Sequence, residues 1–319
     1  MDISKAFEHF QAGNLKLAGD ICREILQAQP QNINALYLSG LIFQQTGTVL
    51  KSKGQLDEAI RFYDNAIACY QTALQIDQNF VEASDFLLFS YKVKNEWELS
   101  LNKKFIHCIG DSNVCFFSGK DSIHPLFPLH IGENPPFKTY RLGPSLAYNL
   151  CRLNTTTKGR EILFLLLGLL SQKSDLLLVY GEIDCRSHIG KQAVIQNRPE
   201  KELVEECVGR YFRVVLEIRG MGFNVGVWGV HPSSDSDSSP ENPFPTYGTC
   251  EQRNVIIKLF NDYLHNLCAI NNIVFISIFE ELLDANLRPK LEYYFDNIHL
   301  SQKAFPLALS KIQSAYAIT

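Results

Sequence analysis

The stretch Lys104-Phe105-Ile106-His107-Cys108-Ile109-Gly110-Asp111-Ser112-Asn113-Val114-Cys115-Phe116-Phe117-Ser118-Gly119 decides how the chain is read. An apolar run (Phe105, Ile106, Cys108, Ile109) is cut by the small polar group Gly110-Asp111-Ser112-Asn113, and a second apolar run follows. A short run of that kind reads as a buried strand. The polar residues after it turn the chain into a helix, with Asp111, Ser112 or Asn113 as the N-cap. In open α/β sheets, ligands bind just beyond the carboxyl ends of the strands, where helix N–H groups receive negative charge. Ser112 therefore has two readings at this point: a nucleophile, or the cap of a helix and nothing more.

The far end of the chain bears on that choice through Tyr293-Tyr294-Phe295-Asp296-Asn297-Ile298-His299-Leu300. A serine is a weak nucleophile until a base takes its proton, and the base needs a third group to fix its tautomer. Asp296 and His299, three apart, supply both from one segment, and the aromatic run before them shields the pair from water. Gly110-Asp111-Ser112-Asn113 near the start of an α/β domain and Asp296-x-x-His299 near its end resemble the first and last motif blocks of the SGNH (GDSL-like) hydrolase family. The resemblance covers roughly residues 103–319.

It implies an SGNH/flavodoxin-like α/β domain in which Ser112, His299 and Asp296 are catalytic. It also implies small acyl esters as substrates, O-acetyl groups of a carbohydrate among them, with either hydrolysis or acyl transfer as the reaction. The tetrahedral oxyanion of such a reaction needs preorganised donors. Ser112 N–H is one candidate. Gly143, in Arg141-Leu142-Gly143-Pro144-Ser145, resembles the family's second block and is another. The third block, Gly-x-Asn-Asp, corresponds here to Gly181-Glu182-Ile183-Asp184, followed by Cys185-Arg186. Gly181 and Asp184 match, but Ile183 stands where the asparagine belongs and cannot donate a hydrogen bond. Arg186 either supplies charge-assisted donors instead or pairs with Glu182 or Asp184 to hold the loop. Ile183 is the feature that supports the alternative class, a non-catalytic glycan-binding or scaffold protein built on a hydrolase-like domain.

Composition bounds these readings. A chain of 319 residues suggests about two domains. The formal net charge of −4 offers no footprint for nucleic acid. The apolar stretch 162–170 is about half the length needed to span a bilayer and reads as a buried helix. The start, Met1-Asp2-Ile3-Ser4-Lys5, lacks the regions of a signal peptide. Nine cysteines, odd in number and scattered without a C-x-x-C pair, fit a reducing, cytoplasmic setting. No residues have metal-ligand spacing and no nucleotide fingerprint occurs, so neither metal nor cofactor is expected. His231 falls on the same sheet edge as Ser112, in reach of substrate but with no adjacent acid.

Residues 1–98 read as all helical. Helices are expected at 3–11 and 15–29, then from Asn32, which caps the third, and again from Gln55. Ala18, Cys22, Ile25 and Leu26 mark one apolar face, and Leu36, Gly40 and Phe43 another. The spacings resemble tetratricopeptide (TPR) repeats, which implies a surface for a protein partner. Against that norm the gap from Gly40 to Ala59 is about seven residues too long. The pattern Ala59, Tyr63, Ala66 recurs as Ala66, Tyr70, Ala73. An insertion of about two helical turns keeps the face in phase, so both helices of the pair are expected to be lengthened together. A third pair begins near Val81 and stops at Asn95-Glu96-Trp97-Glu98.

From residue 103 strands and helices alternate, which implies a three-layer domain around a parallel sheet. Strands are expected at 104–110, 137–142, 175–180, 223–230 and 272–278, and helices at 145–152, 158–172, 199–220, 250–270 and 301–317. The polar, proline-rich segment 232–249 reads as a surface loop or as a flap over the substrate.

Overall fold

The computed structural model describes residues 2–234, 246–284 and 288–316. They form two compact units, each with its own core.

The first unit comprises residues 2–104 with the short stretches 128–130 and 167–171. Its helices are α1 (Ile3–Gln11), α2 (Leu15–Ala28), α3 (Ile33–Ser52), α4 (Leu56–Ile76) and α5 (Val81–Ser100). Capping follows the local chemistry: Asp2 accepts from Ser4 N–H at 2.9 Å, and Asn32 accepts from Ala35 N–H at 3.0 Å. The long pair, α3 and α4, runs to 20 and 21 residues. A Cβ at Gly40 would lie 2.4 Å from the Tyr70 ring, and one at Gly47 would lie 2.8 Å from the Tyr63 ring. Contacts that step seven residues up one helix and seven down the other define an antiparallel pair, two turns apart. The third pair stops after its first helix, α5, which ends at Ser100, two residues past the expected end at Glu98. Its last turns are anchored by Trp97, whose ring meets that of Tyr63 at 4.6 Å, and by Lys94 to Asp64 at 2.7 Å. Among the buried polar groups, Gln44 joins three helices. Its Nε2 donates to Ser90 Oγ at 2.6 Å, and its Oε1 accepts from Tyr70 OH at 3.1 Å.

The second unit holds a six-stranded sheet of β1 (Ile106–Gly110), β2 (Gly132–Asn134), β3 (Phe137–Arg141), β4 (Asp175–Val179), β5 (Asn224–Trp228) and β6 (Val274–Ile276). The spatial order is β2-β3-β1-β4-β5-β6, with every pairing parallel except β2 with β3. The parallel strands alone therefore follow the doubly-wound order 2-1-3-4-5, in which β1 and β4 flank the switch point where ligands bind. β1 is buried along its whole length, as a strand covered on both faces must be. The edge strand β2 was not expected from sequence, and each of the other strands is one to four residues shorter than expected.

Helices α6 (Gly159–Leu167), α7 (Ile189–Gln196), α8 (Glu200–Gly220), α9 (Cys250–Ile270) and α10 (Phe305–Tyr316) complete the fold. On one face of the sheet, Ile106, Cys108, Leu177, Val179, Trp228 and Ile276 pack with Ala308 and Ile312 of α10. On the other, His265 of α9 stacks on Phe275 at 5.1 Å. The helix expected at 145–152 is only a 3₁₀ turn at Ala147–Asn149, and α7 lies in what read as loop. Most of the proposed 232–249 flap, residues 235–245, lies outside the described residues, but 231–234 are buried rather than a surface loop. Among the described residues no helix is long and apolar enough to cross a membrane.

Candidate active site

The site is built where β1 ends. Gly110 sits against β4 so closely that a Cβ would lie 2.0 Å from the Val179 carbonyl oxygen, so only glycine fits. The chain then turns into a 3₁₀ helix, Ser112–Ser118. Of the three candidate caps, Asp111 takes the role: its Oδ1 accepts from Asn113 N–H at 2.8 Å and from Asn113 Nδ2 at 2.9 Å. That leaves the hydroxyl of Ser112 for another partner. Ser112 Oγ lies 2.7 Å from His299 Nε2, across 187 positions of sequence.

His299 Nδ1 lies 2.7 Å from Asp296 Oδ2. The other Asp296 oxygen accepts from the backbone N–H groups of Ile298 (2.7 Å) and His299 (2.6 Å). Half-burial alone would raise the Asp296 pKa, but the hydrogen bonds from the His299 ring and from these N–H groups outweigh it and hold the carboxyl below its ordinary value. An ionised Asp296 fixes the proton on Nδ1 of His299 and turns the bare Nε2 toward the serine. Phe295 stacks on the imidazole at 5.7 Å and 19°. Ser112, His299 and Asp296 are thus in hydrogen-bonding contact in that order.

Gly143 has φ +106, a conformation that favours glycine. The nearest atom to a Cβ there would be Leu126 Cδ2, at 3.9 Å, so its approach side is open. Among the described residues neither the Ser112 N–H nor the Gly143 N–H donates to another protein group. Gly181 also has positive φ, but its missing side chain makes room for Phe260, whose ring would be 2.7 Å from a Cβ.

Asp184 and Arg186 part company. Asp184 is buried and accepts from the N–H groups of Ala147 (2.8 Å) and Tyr148 (3.2 Å), tying the segment after β4 to the one after β3. Burial raises its pKa to about 6 despite these bonds. Arg186 Nε donates to Glu182 Oε1 at 2.5 Å, so of the two acids it was read against, its partner is Glu182. Ile183 is buried and presents no donor.

Sequence reasoning missed how much buried polar chemistry surrounds Ser112. Asp111 Oδ2, Asn113 Oδ1, Tyr180 OH and Glu182 Oε2 are buried with no hydrogen-bond partner among the described residues. Burial, then the charge of Glu182, raises the Asp111 pKa to about 7. His231, read as within reach of substrate, is buried, and its Nε2 lies 2.8 Å from the Ile298 carbonyl oxygen. Among the described residues no cluster of His, Cys, Asp and Glu is arranged to hold a metal ion.

No family model and no curated protein matches the chain. Among solved structures, it is similar to a GDSL-like lipase from Bacteroides thetaiotaomicron (13% identity, 72% of this chain and 100% of that one, TM-score 0.45). It is also similar to the OSK domain of Drosophila Oskar (9%, 67% and 88%, TM-score 0.43) and to an aryl esterase of M. smegmatis (15%, 66% and 99%, TM-score 0.40).

Proposed function

We propose that residues 103–319 form an SGNH-type serine esterase or acyltransferase acting on small acyl esters, O-acetyl groups of a carbohydrate among them. Residues 1–98 would be a TPR-like domain for a protein partner. The observation that carries the catalytic reading is the continuous relay from Ser112 Oγ to His299 to Asp296, 2.7 Å at each step, left open because Asp111 does the capping.

In this reading Ser112 Oγ attacks the acyl carbonyl while its proton passes to His299 Nε2. Asp296 holds the imidazole in the accepting tautomer and then stabilises the imidazolium. The oxyanion is received by the N–H groups of Ser112 and Gly143. Collapse of the tetrahedral species breaks the ester C–O bond, and His299 returns the proton to the leaving alkoxide. The acyl-enzyme is released when His299 deprotonates a water, or the hydroxyl of an acceptor, for the second attack. With Ile183 in place of the family's asparagine and Arg186 engaged by Glu182, the oxyanion hole rests on two backbone donors.

A fluorophosphonate probe tests the proposal. Wild-type protein is expected to be labelled and Ser112→Ala to be silent. A folded wild-type protein that takes up no probe would sink the enzyme. Ile183 favours the second reading, a glycan binder without turnover, and that outcome would leave it standing.

A further inference from the structure

The loop that carries His299 is held from behind by a rack of buried polar side chains. After β5 the chain runs through Val230, His231, Pro232, Ser233 and Ser234, and α9 grips this segment. Asn261 pairs with both backbone groups of Val230, accepting from its N–H at 2.8 Å and donating to its carbonyl at 2.7 Å. Asn254 accepts from Ser233 N–H at 2.7 Å. Arg253, only 1% exposed, donates to Ser233 Oγ at 2.7 Å, Ser234 O at 2.9 Å and Gly248 O at 2.7 Å. A buried guanidinium is costly unless satisfied in this way.

The gripped segment in turn holds the 294–299 loop at three points. Tyr294 OH donates to Pro232 O at 2.6 Å, Ser234 Oγ donates to Asn297 O, and His231 Nε2 meets Ile298 O at 2.8 Å. A carbonyl only accepts, so Nε2 of His231 carries a proton. Burial lowers the His231 pKa, which favours the neutral ring. The third contact matters most, because Ile298 O belongs to the peptide that leads into His299. The N–H of the same peptide is bound by Asp296 at 2.6 Å. One peptide plane is therefore clamped at both ends, and its orientation sets where the imidazole starts.

We propose that His231 is a positioning residue that fixes the Ile298–His299 peptide against the α9 rack and so places His299 Nε2 at Ser112. The proposal rests on the catalytic reading of Ser112 and His299 and extends it. Two variants of the full chain test it. His231→Phe keeps the ring and loses the donor, whereas His231→Gln restores an N–H near the Nε2 position. The rate of fluorophosphonate labelling is expected to fall about tenfold to a hundredfold in the first, as for a small misplacement of a reacting group, and to return to within about threefold of wild type in the second. The ¹⁵N shifts of the His299 ring should move in the first variant and return in the second.

Wild-type labelling by folded His231→Phe would overturn the proposal, as would equally slow labelling by folded His231→Gln. If His231→Phe does not fold, Ser234→Ala takes its place, with labelling expected to slow severalfold and an unchanged rate counting against the rack. If wild-type protein takes up no probe, the enzyme reading fails separately, and an unchanged His299 ring spectrum in His231→Phe would then overturn the positioning role by itself.

Discussion

The two units of this chain bury polar groups in opposite ways. In the helical unit the central polar set is closed: Gln44, Tyr70 and Ser90 satisfy one another across α3, α4 and α5. Among the described residues, every buried side-chain polar atom without a partner belongs to the sheet unit. Several of these lie at the carboxyl ends of β1, β3 and β4, in Asp111, Asn113, Arg141, Ser145, Tyr180 and Glu182. Native proteins leave few buried polar atoms unpaired, and those that persist need an explanation. A helical scaffold has no reason to tolerate them. The proposed catalytic site would, because local rules are expected to be broken at functional sites.

That contrast can be broken at the serine first. His299→Ala should lower the labelling rate by about a thousandfold or more, equivalent to about 4 kcal/mol of lost activation, while leaving the unfolding midpoint near that of wild type. A large loss of stability with little loss of labelling would reverse the assignment of cost in the sheet unit.

The next largest effect depends on pH. Asp111 in the folded protein holds its proton up to about pH 7, against an ordinary value of 3.8. An acid whose folded pKa is raised binds more protons folded than unfolded. The stability it contributes is present below about pH 4 and is lost as pH rises towards 7 and beyond. Asp111→Asn keeps an acceptor for Asn113 and cannot ionise. Its stability relative to wild type should therefore improve between pH 4 and pH 8 by up to roughly 4 kcal/mol, at about 1.4 kcal/mol per unit of pKa shift. Denaturant melts at the two pH values decide it, and parallel curves would refute a raised Asp111.

Two hydroxyl deletions then compare the units directly. Tyr70→Phe strips a partner from buried Gln44 and should cost about 1–3 kcal/mol in a denaturant melt. Tyr180→Phe deletes a buried hydroxyl that has no partner among the described residues, and should change stability by less than about 0.5 kcal/mol or raise it. Equal costs at the two positions would erase the distinction.

What could be read in advance was local and periodic. The apolar spacing and turn residues of 1–98 placed α1 to α4, with Asn32 as a cap, because each signal lies within a few residues of its effect. The repeat of Tyr63 and Tyr70 foretold the matched lengthening of α3 and α4. The strand before Gly110 and the meeting of Ser112 with His299 were also legible, from motif order and strand context. β2 was not, since Gly132-Glu133-Asn134 has no apolar alternation and is a strand only by pairing with β3. Nor could sequence choose between Asp111 and Ser112 as the cap, for both are ordinary capping residues. Arg186 had two acids within reach in sequence, and only the capture of Asp184 by the N–H groups of Ala147 and Tyr148 decides for Glu182. His231 escaped because its partner is a main-chain oxygen 67 positions away, and backbone acceptors leave no mark on side-chain patterns.

His299 reaches Ser112 from beyond the last of the described strands: β6 ends at Ile276, and Asp296 and His299 follow it. If Ser112 is the nucleophile proposed above, a ribosome finishes the six described strands before the residues that would activate it are made. Any chain cut short before Asp296 would carry the hydroxyl without its proton acceptor. Under the proposed reading, reactivity toward an acylating reagent would report that synthesis has passed His299.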